Sequence, residues 1–240
     1  MLKIIAEGPD GRYTLPQLLQ IMKALRSPEG CPWDKEQTHQ SIKNDALEEV
    51  YEVVDAIDNN DAVALCEELG DMLLQVVFHS SIAEEENEFT FDEVVDGISK
   101  KLVLRHPHVF GEASVENSSE VLDLWDSIKK EEKKQTTVAD TLNSVPKAFP
   151  ALMRAAKVQK RAGKAGVTEA ASLSLAKEKL TLFENSLNTA DNEEIKKAYG
   201  ELLFTLAGLQ QSLHINAEEA LNSATNSFIE KIEQAEKLAN

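Results

Sequence analysis

Apolar residues recur at three- and four-residue intervals along nearly the whole chain, and nowhere do they alternate convincingly with a period of two. That periodicity predicts amphipathic helices and no sheet. The first, LPQLLQIMKALR (15–26), is stopped by SPEGCP, where two prolines and a glycine end helical pairing. A second is predicted to start near Asp34, with Gln37 completing a capping box, and to run to about Asp58. Asn59, Asn60 and Asp61 form the turn into a third helix over roughly 62–86. Thr90 and Glu93 cap a fourth, which ends near RHPHVFG (105–111). SSEVLDLWDSIKKEEKK (118–134) reads as a fifth. From about Gln135 to Pro150 the chain turns polar and carries Pro146 and Pro150, as linkers do. Helices resume at about 151–162, 173–187, 192–213 and 217–238. The expected fold class is all-α, with helical units over 1–134 and 151–240 joined by a linker at 135–150.

The two halves carry a trace of each other. Sliding the segment around Leu47–Asp71 by 130 residues sets Glu48 on Glu178, Gly70 on Gly200 and Leu73 on Leu203 without a gap. Further on, a shift of 126 sets Glu93 on Glu219 and Val94 on Ala220. This points to an internal duplication.

Composition narrows the partners. The chain has 240 residues, 42% of them hydrophobic, enough for packed cores. Lys and Arg number 25 against 42 Asp and Glu, a formal charge of −17. Such a field repels nucleic-acid backbones and anionic membranes, so neither is expected as a partner. An anionic small molecule can still bind where cations bridge it. Stretches such as MLLQVVF (72–78) are too short to span a membrane, and the N-terminus has no run suited to a signal peptide. Cys31 and Cys66 form no CxxC pair. The expected location is the reducing cytoplasm.

Within this acidic chain one group of acids stands apart. Glu48, Glu49 and Glu52 lie opposite the arc of Leu47, Val50, Tyr51, Val54 and Ile57, which alone describes an ordinary solvated face. Glu68 and Asp71, in contrast, sit among Leu65, Leu69, Met72, Leu73, Leu74, Val76, Val77, Phe78 and Ile82, which cover nearly every direction of the helix. A helix apolar all round is normally buried, and two carboxylates one turn apart in it repel and lose hydration. No Lys or Arg lies between Lys43 and Lys100 to pair with them. A cation is the economical answer, and an oxygen-only donor set points to Mg²⁺ or Mn²⁺ rather than zinc. A di-iron bundle needs two Glu-x-x-His pairs, and only Glu36–His39 fits.

Glu48-Glu49-x-x-Glu52 followed by Glu68-x-x-Asp71 resembles the EExxE…ExxD signature of the MazG-type nucleoside triphosphate pyrophosphohydrolases. GCPWDKEQTH (30–39), EELGDMLLQVVFH (67–79), RHPHVFG (105–111) and WDSIKKEEK (125–133) resemble the family in the same order. The resemblance covers most of residues 15–134. It implies an all-α enzyme that hydrolyses nucleoside triphosphates to monophosphate and pyrophosphate with Mg²⁺, Mn²⁺ being the alternative. It implies Glu49, Glu52, Glu68 and Asp71 as metal ligands and leaves Glu48 as the base that orients water. Lys101 and Arg105 match a family KxxxR pair that would hold phosphate oxygens. Trp33 either stacks on a nucleobase or pins the Gly30–Pro32 turn. His106 and His108 read as structural loop residues. The apolar surface of the third helix suggests a homodimer. A narrower all-α nucleotide hydrolase of dUTPase-like or phosphoribosyl-ATP type, and a helical adaptor without activity, are the competing readings.

The second copy departs from the pattern. At the shift of 130, Glu49 becomes Lys179, Glu52 becomes Leu182 and Glu68 becomes Ala198, while Glu178 and Glu201 keep acids. At the later shift Lys101 becomes Ser227 and Arg105 becomes Lys231. The second unit is therefore expected to be a degenerate, silent MazG-like bundle.

Overall fold

The computed structural model of the chain describes residue 8 and residues 10–132, 137–167, 171–189 and 191–239. Among these residues every regular element is helical. In order they are α1 (Leu15–Arg26), α2 (Pro32–Glu36), α3 (Asp45–Asp58), α4 (Ala62–Glu85), α5 (Phe91–Arg105), α6 (Pro107–Phe110), α7 (Ser118–Glu132), α8 (Val138–Asn143), α9 (Ala151–Lys164), α10 (Leu173–Ser186), α11 (Asn192–Gly208), α12 (Gln210–Leu213) and α13 (Ala217–Ala239). The chain forms two compact units, Met1–Val121 and Leu122–Asn240. The segment expected as a linker holds α8, started by a capping box between Thr137 and Asp140.

The helix predicted over 34–58 is broken. Its first part is the five-residue α2, and residues 37–44 turn before α3 begins. Short polar side chains explain the break. The Thr38 N–H donates to Ser41 Oγ at 2.9 Å, and the Ser41 hydroxyl donates to Gln37 Oε1 at 2.8 Å. These local bonds offer the backbone an alternative to the helical ladder. Gln37 is not a capping partner for Asp34; it ends α2, and its amide donates to the Trp33 carbonyl at 2.9 Å.

Two asparagines set the length of α4. Asn60 takes left-handed φ at 54°, which lets the Asp61 N–H return to the Ala56 carbonyl and close α3. Asp61 then caps α4, its carboxylate accepting from the N–H groups of Val63 and Ala64 at 3.0 Å each. At the far end Asn87, φ 58°, repeats the device, with the Glu88 N–H on the Ala83 carbonyl.

Only the C-terminal half of α4 is anchored in a core. Met22, Ile42, Val77, Phe78 and Ile82 form that core, with Leu18, Leu19, Leu74 and Phe91 packed against it. Burial of α4 on all sides, as its composition predicts, does not occur within one chain: Leu69, Met72, Leu73 and Val76 are 49%, 36%, 40% and 41% exposed. The α3 helix is turned the other way from a simple amphipathic reading. Leu47, Val50, Tyr51, Val54 and Ile57 are all exposed, whereas Glu49 is half-buried. The apolar arc faces outward and the acidic side meets α4.

Arg26 ties this unit together. It is 7% exposed, and its guanidinium grips Glu85 of α4 with Nε at 2.8 Å from Oε1 and Nη2 at 2.7 Å from Oε2. Nη1 donates to the carbonyls of Asp34 and Gln37 at the end of α2, and the guanidinium carbon stands 5.3 Å from the Phe78 ring centroid. One side chain thus satisfies α2, neutralises Glu85 of α4 and covers the core. Gly30 makes the α1–α2 turn feasible, because a Cβ there would strike the backbone oxygens of Ala24 and Leu25.

In the second unit α9 packs on α11, α10 packs on α11, and small residues fill the centre: Ala156, Ala162, Ala176 and Ala207 are buried with Val145, Leu202 and Leu209. Arg161 Nη1 donates to the Thr141 carbonyl and Ser144 Oγ, fixing α8 to α9.

Removing Arg26 leaves two carbonyls without their donor and breaks the α1–α4 link. Arg26→Ala is expected to lower unfolding free energy in urea by about 3 kcal/mol. Lys23→Ala, which removes an exposed ion pair with Glu84 at 2.8 Å, is expected to change it by less than about 1 kcal/mol.

Candidate active site

The α3 and α4 helices run side by side after the Asn59–Asp61 turn, and Glu49 of α3 meets Glu68 and Asp71, one turn apart on α4, across the seam. Ligand oxygens of Glu49, Glu68 and Asp71 all lie within 4.8 Å of one another, and all three residues are half-buried. Gln75, one turn beyond Asp71, donates its amide to Glu49 Oε1 at 3.4 Å; its own Oε1 is buried without a partner.

The electrostatics follow from crowding. Burial pushes the Glu49 carboxyl above the ordinary glutamate value of 4.5; Gln75 opposes this, and the charges of Asp71 and Glu52 add to it. Glu68 is raised by burial first, then by Glu52, Glu67, Asp71 and Glu49. Glu52 itself is exposed and stands outside the tight group, but its charge reaches both glutamates. Glu48 is exposed and is not part of the group. The structure therefore brings together Glu49, Glu68 and Asp71, places Glu52 beside them, and leaves Glu48 at the edge.

A divalent cation fits this donor set. Carboxylate oxygens at this spacing match a hard cation, and their mutual repulsion is the force a cation would relieve. Nothing on α3 or α4 offers a Lys or Arg in its place.

The remaining candidates are distributed around the same unit. Lys101 and Arg105 lie one turn apart on α5, the first exposed and the second half-buried. Trp33 is 59% exposed with its ring edge-on to Phe78, centroids 6.5 Å apart, so it is not a core residue. His106 Nδ1 meets the Leu102 carbonyl at 2.6 Å and its ring lies 5.6 Å from His108, as befits a loop cap. Gln75 was missed by sequence reasoning, although its position one turn past Asp71 was the available signal.

In the second unit the corresponding seam is between α10 and α11. Asp191 caps α11 by accepting from Glu193 and Glu194 N–H groups, as Asp61 caps α4. Lys179, aligned with Glu49, pairs with Glu201, aligned with Asp71, at 2.9 Å. The hydrogen bond to Glu201 raises the Lys179 ammonium above its usual value and holds the Glu201 carboxyl below its own. An ammonium thus occupies the seam where the first unit has converging acids.

An all-helical unit with acids gathered across a helical hairpin can hold a divalent cation, and comparisons with known proteins place it among nucleotide pyrophosphohydrolases. Residues 37–110 match the family model described as MazG nucleotide pyrophosphohydrolase domain. A nucleoside triphosphate pyrophosphohydrolase of Escherichia coli (strain K12) is 42% identical over 93% of this chain and 88% of its own length. A nucleoside triphosphate pyrophosphohydrolase/pyrophosphatase MazG of Thermotoga maritima is 37% identical over 92% of this chain and 85% of its own. A solved MazG-related protein from Thermotoga maritima aligns with 48% of this chain and 99% of its own, at 27% identity and a TM-score of 0.42. The chain belongs to the MazG family of nucleotide pyrophosphohydrolases.

Because the Glu49 and Glu68 carboxyls are raised in the folded state, ionising them costs stability at neutral pH. That cost fades as pH falls through the raised values toward 4.5. In EDTA, Glu49→Gln/Glu68→Gln is expected to be more stable than the parent at about pH 7, with the advantage shrinking toward about pH 4.5. Urea titrations at several pH values measure the difference.

Proposed function

We propose that the chain hydrolyses nucleoside triphosphates to nucleoside monophosphate and pyrophosphate, dependent on Mg²⁺ or Mn²⁺, through the seam between α3 and α4. The observation that carries this reading is the convergence of Glu49, Glu68 and Asp71 within 4.8 Å without a basic partner on either helix. Glu49, Glu68 and Asp71 hold the cation, and Glu52 completes the ligand set from the next turn of α3. A bound divalent ion supplies charge neutralisation at the phosphate oxygens and lowers the cost of attack. Glu48, one turn before Glu52, orients the attacking water, and Lys101 with Arg105 holds phosphate oxygens. Trp33, exposed at the end of the core, offers its face to a nucleobase.

Two further readings accompany it. The second unit is a degenerate copy of the first, silent because the Lys179–Glu201 ion pair fills the position a cation would need. The outward arc of α3 and the exposed apolar residues of α4 form the contact of a two-fold dimer. The expected location is the cytoplasm. No helix among the described residues is long and apolar enough to cross a membrane.

Pyrophosphate release from a panel of triphosphates, with and without Mg²⁺, tests the reaction and separates a general enzyme from a narrower one. Glu52→Gln and Asp71→Asn are each expected to lower turnover at saturating Mg²⁺ at least about a hundredfold while the helical circular dichroism is retained. Both variants keep the second unit intact, so near-parental activity would contradict the metal site, the silence of that unit, or both. Light scattering at micromolar concentration is expected to give the mass of two chains; a monomer with and without Mg²⁺ would contradict the dimer.

A further inference from the structure

A second group of metal-type donors lies in the first unit and plays no part in the reaction proposed above. His39 sits in the 37–44 turn that leads into α3. Glu86 and Glu88 flank Asn87 at the end of α4, where the left-handed Asn87 backbone folds the chain back on itself. A ring nitrogen of His39 and one carboxylate oxygen from each glutamate lie within 4.8 Å of one another. Yet neither glutamate comes within ion-pair distance of the imidazole: the ion pairs of α4 and its end run instead from Lys23 to Glu84 and from Arg26 to Glu85. The three donors gather around a shared point without bonding each other.

His39 is also held by a second imidazole. Its Nδ1 stands 2.7 Å from Nδ1 of His79, the rings are nearly parallel at 11°, and their centroids are 5.0 Å apart. A contact that short between two imidazole nitrogens requires one hydrogen between them, so one ring donates and the other accepts. When His39 donates, its Nε2 is left with a free lone pair. Metal-binding histidines characteristically give their second N–H to an acceptor, which fixes tautomer and orientation, and the unprotonated His79 nitrogen can serve as that acceptor. His79 lies on the half-buried side of α4, next to the core residue Phe78, so the anchor is rigid.

We propose that His39, Glu86 and Glu88 form a second divalent-cation site, selective for a transition metal of the Zn²⁺ class rather than for Mg²⁺, with His79 as the residue that orients His39. One imidazole nitrogen with two carboxylate oxygens is a three-ligand set that suits Zn²⁺, Co²⁺ or Fe²⁺ and leaves an open position for water. Mg²⁺ favours an all-oxygen shell, as at the α3–α4 seam. Glu86 and Glu88 are exposed, which gives the ion a route in from solvent. Occupancy clips the turn before α3 to the end of α4, the two segments that flank the helices carrying the catalytic acids.

The test uses the full chain with the seam silenced by Glu49→Gln/Glu68→Gln, so that its outcome is independent of catalysis. Titration with Co²⁺ alone is read by visible absorption and by calorimetric stoichiometry. The expected result is one Co²⁺ per chain, with visible bands of a nitrogen-containing site, unaffected by excess Mg²⁺. Adding Glu86→Gln/Glu88→Gln, two exposed changes that spare the core, is expected to weaken Co²⁺ binding at least about tenfold. Paramagnetic Co²⁺ is also expected to shift the His39 ring resonances. Absence of Co²⁺ binding in the seam-silenced chain, binding unchanged by the Glu86 and Glu88 substitutions, or displacement by Mg²⁺ would each overturn the site.

Discussion

Repulsion among carboxylates held together across the α3–α4 seam is the constraint around which the first unit is organised. Glu49, Glu68 and Asp71 converge within 4.8 Å, with Glu52 close enough to raise two of them. Left alone, such a group favours separation of the two helices. The fold resists that separation at both ends of α4. Asp61 caps its start immediately after the tight Asn59–Asp61 turn, and Val77, Phe78 and Ile82 hold its C-terminal half in the core. The acids are therefore forced together by packing elsewhere, which stores the charge a cation can use.

The same chain solves its charge problems in three ways. Arg26 neutralises Glu85 from within the core and serves as a donor to two carbonyls, so that pair is structural. In the second unit Lys179 meets Glu201 across the α10–α11 seam at 2.9 Å, an ammonium against a carboxylate. At α3–α4 acids are crowded with no basic side chain on either helix. The two seams differ in their charges: where the first has Glu49 among acids, the second has Lys179 paired with Glu201.

Much of this was legible in the sequence, because helical period and capping are local. The α1 helix was predicted over its full observed range, and the starts of α4 and α11 fall where the periodicity put them, although the helix expected over 192–213 breaks at Leu209 into α11 and α12. Spacing alone gave the acidic arc of α3 a solvated reading; the resemblance singled out Glu49, Glu68 and Asp71, which the structure brings together, along with Glu52, which lies beside them. What was not legible depended on contacts distant in sequence or on competition between weak local bonds. The 37–44 turn turned on Thr38 and Ser41 hydroxyls outbidding the helical ladder. The outward orientation of Leu47, Val50, Tyr51, Val54 and Ile57 reverses the usual rule, because the acidic side of α3 is the side that meets α4. The Arg26–Glu85 pair spans 59 residues and the His39–His79 pair 40, separations at which no spacing rule operates.

The central claim is that the crowded acids of the α3–α4 seam hold a divalent cation in the working enzyme. Its most direct measurement is a crystal structure of the full chain soaked with Mn²⁺ and a non-hydrolysable triphosphate, with anomalous scattering locating the ion. The account predicts an anomalous peak between Glu49, Glu68 and Asp71, in contact with phosphate oxygens. Triphosphate bound in the first unit with no peak at those three carboxylates would contradict it.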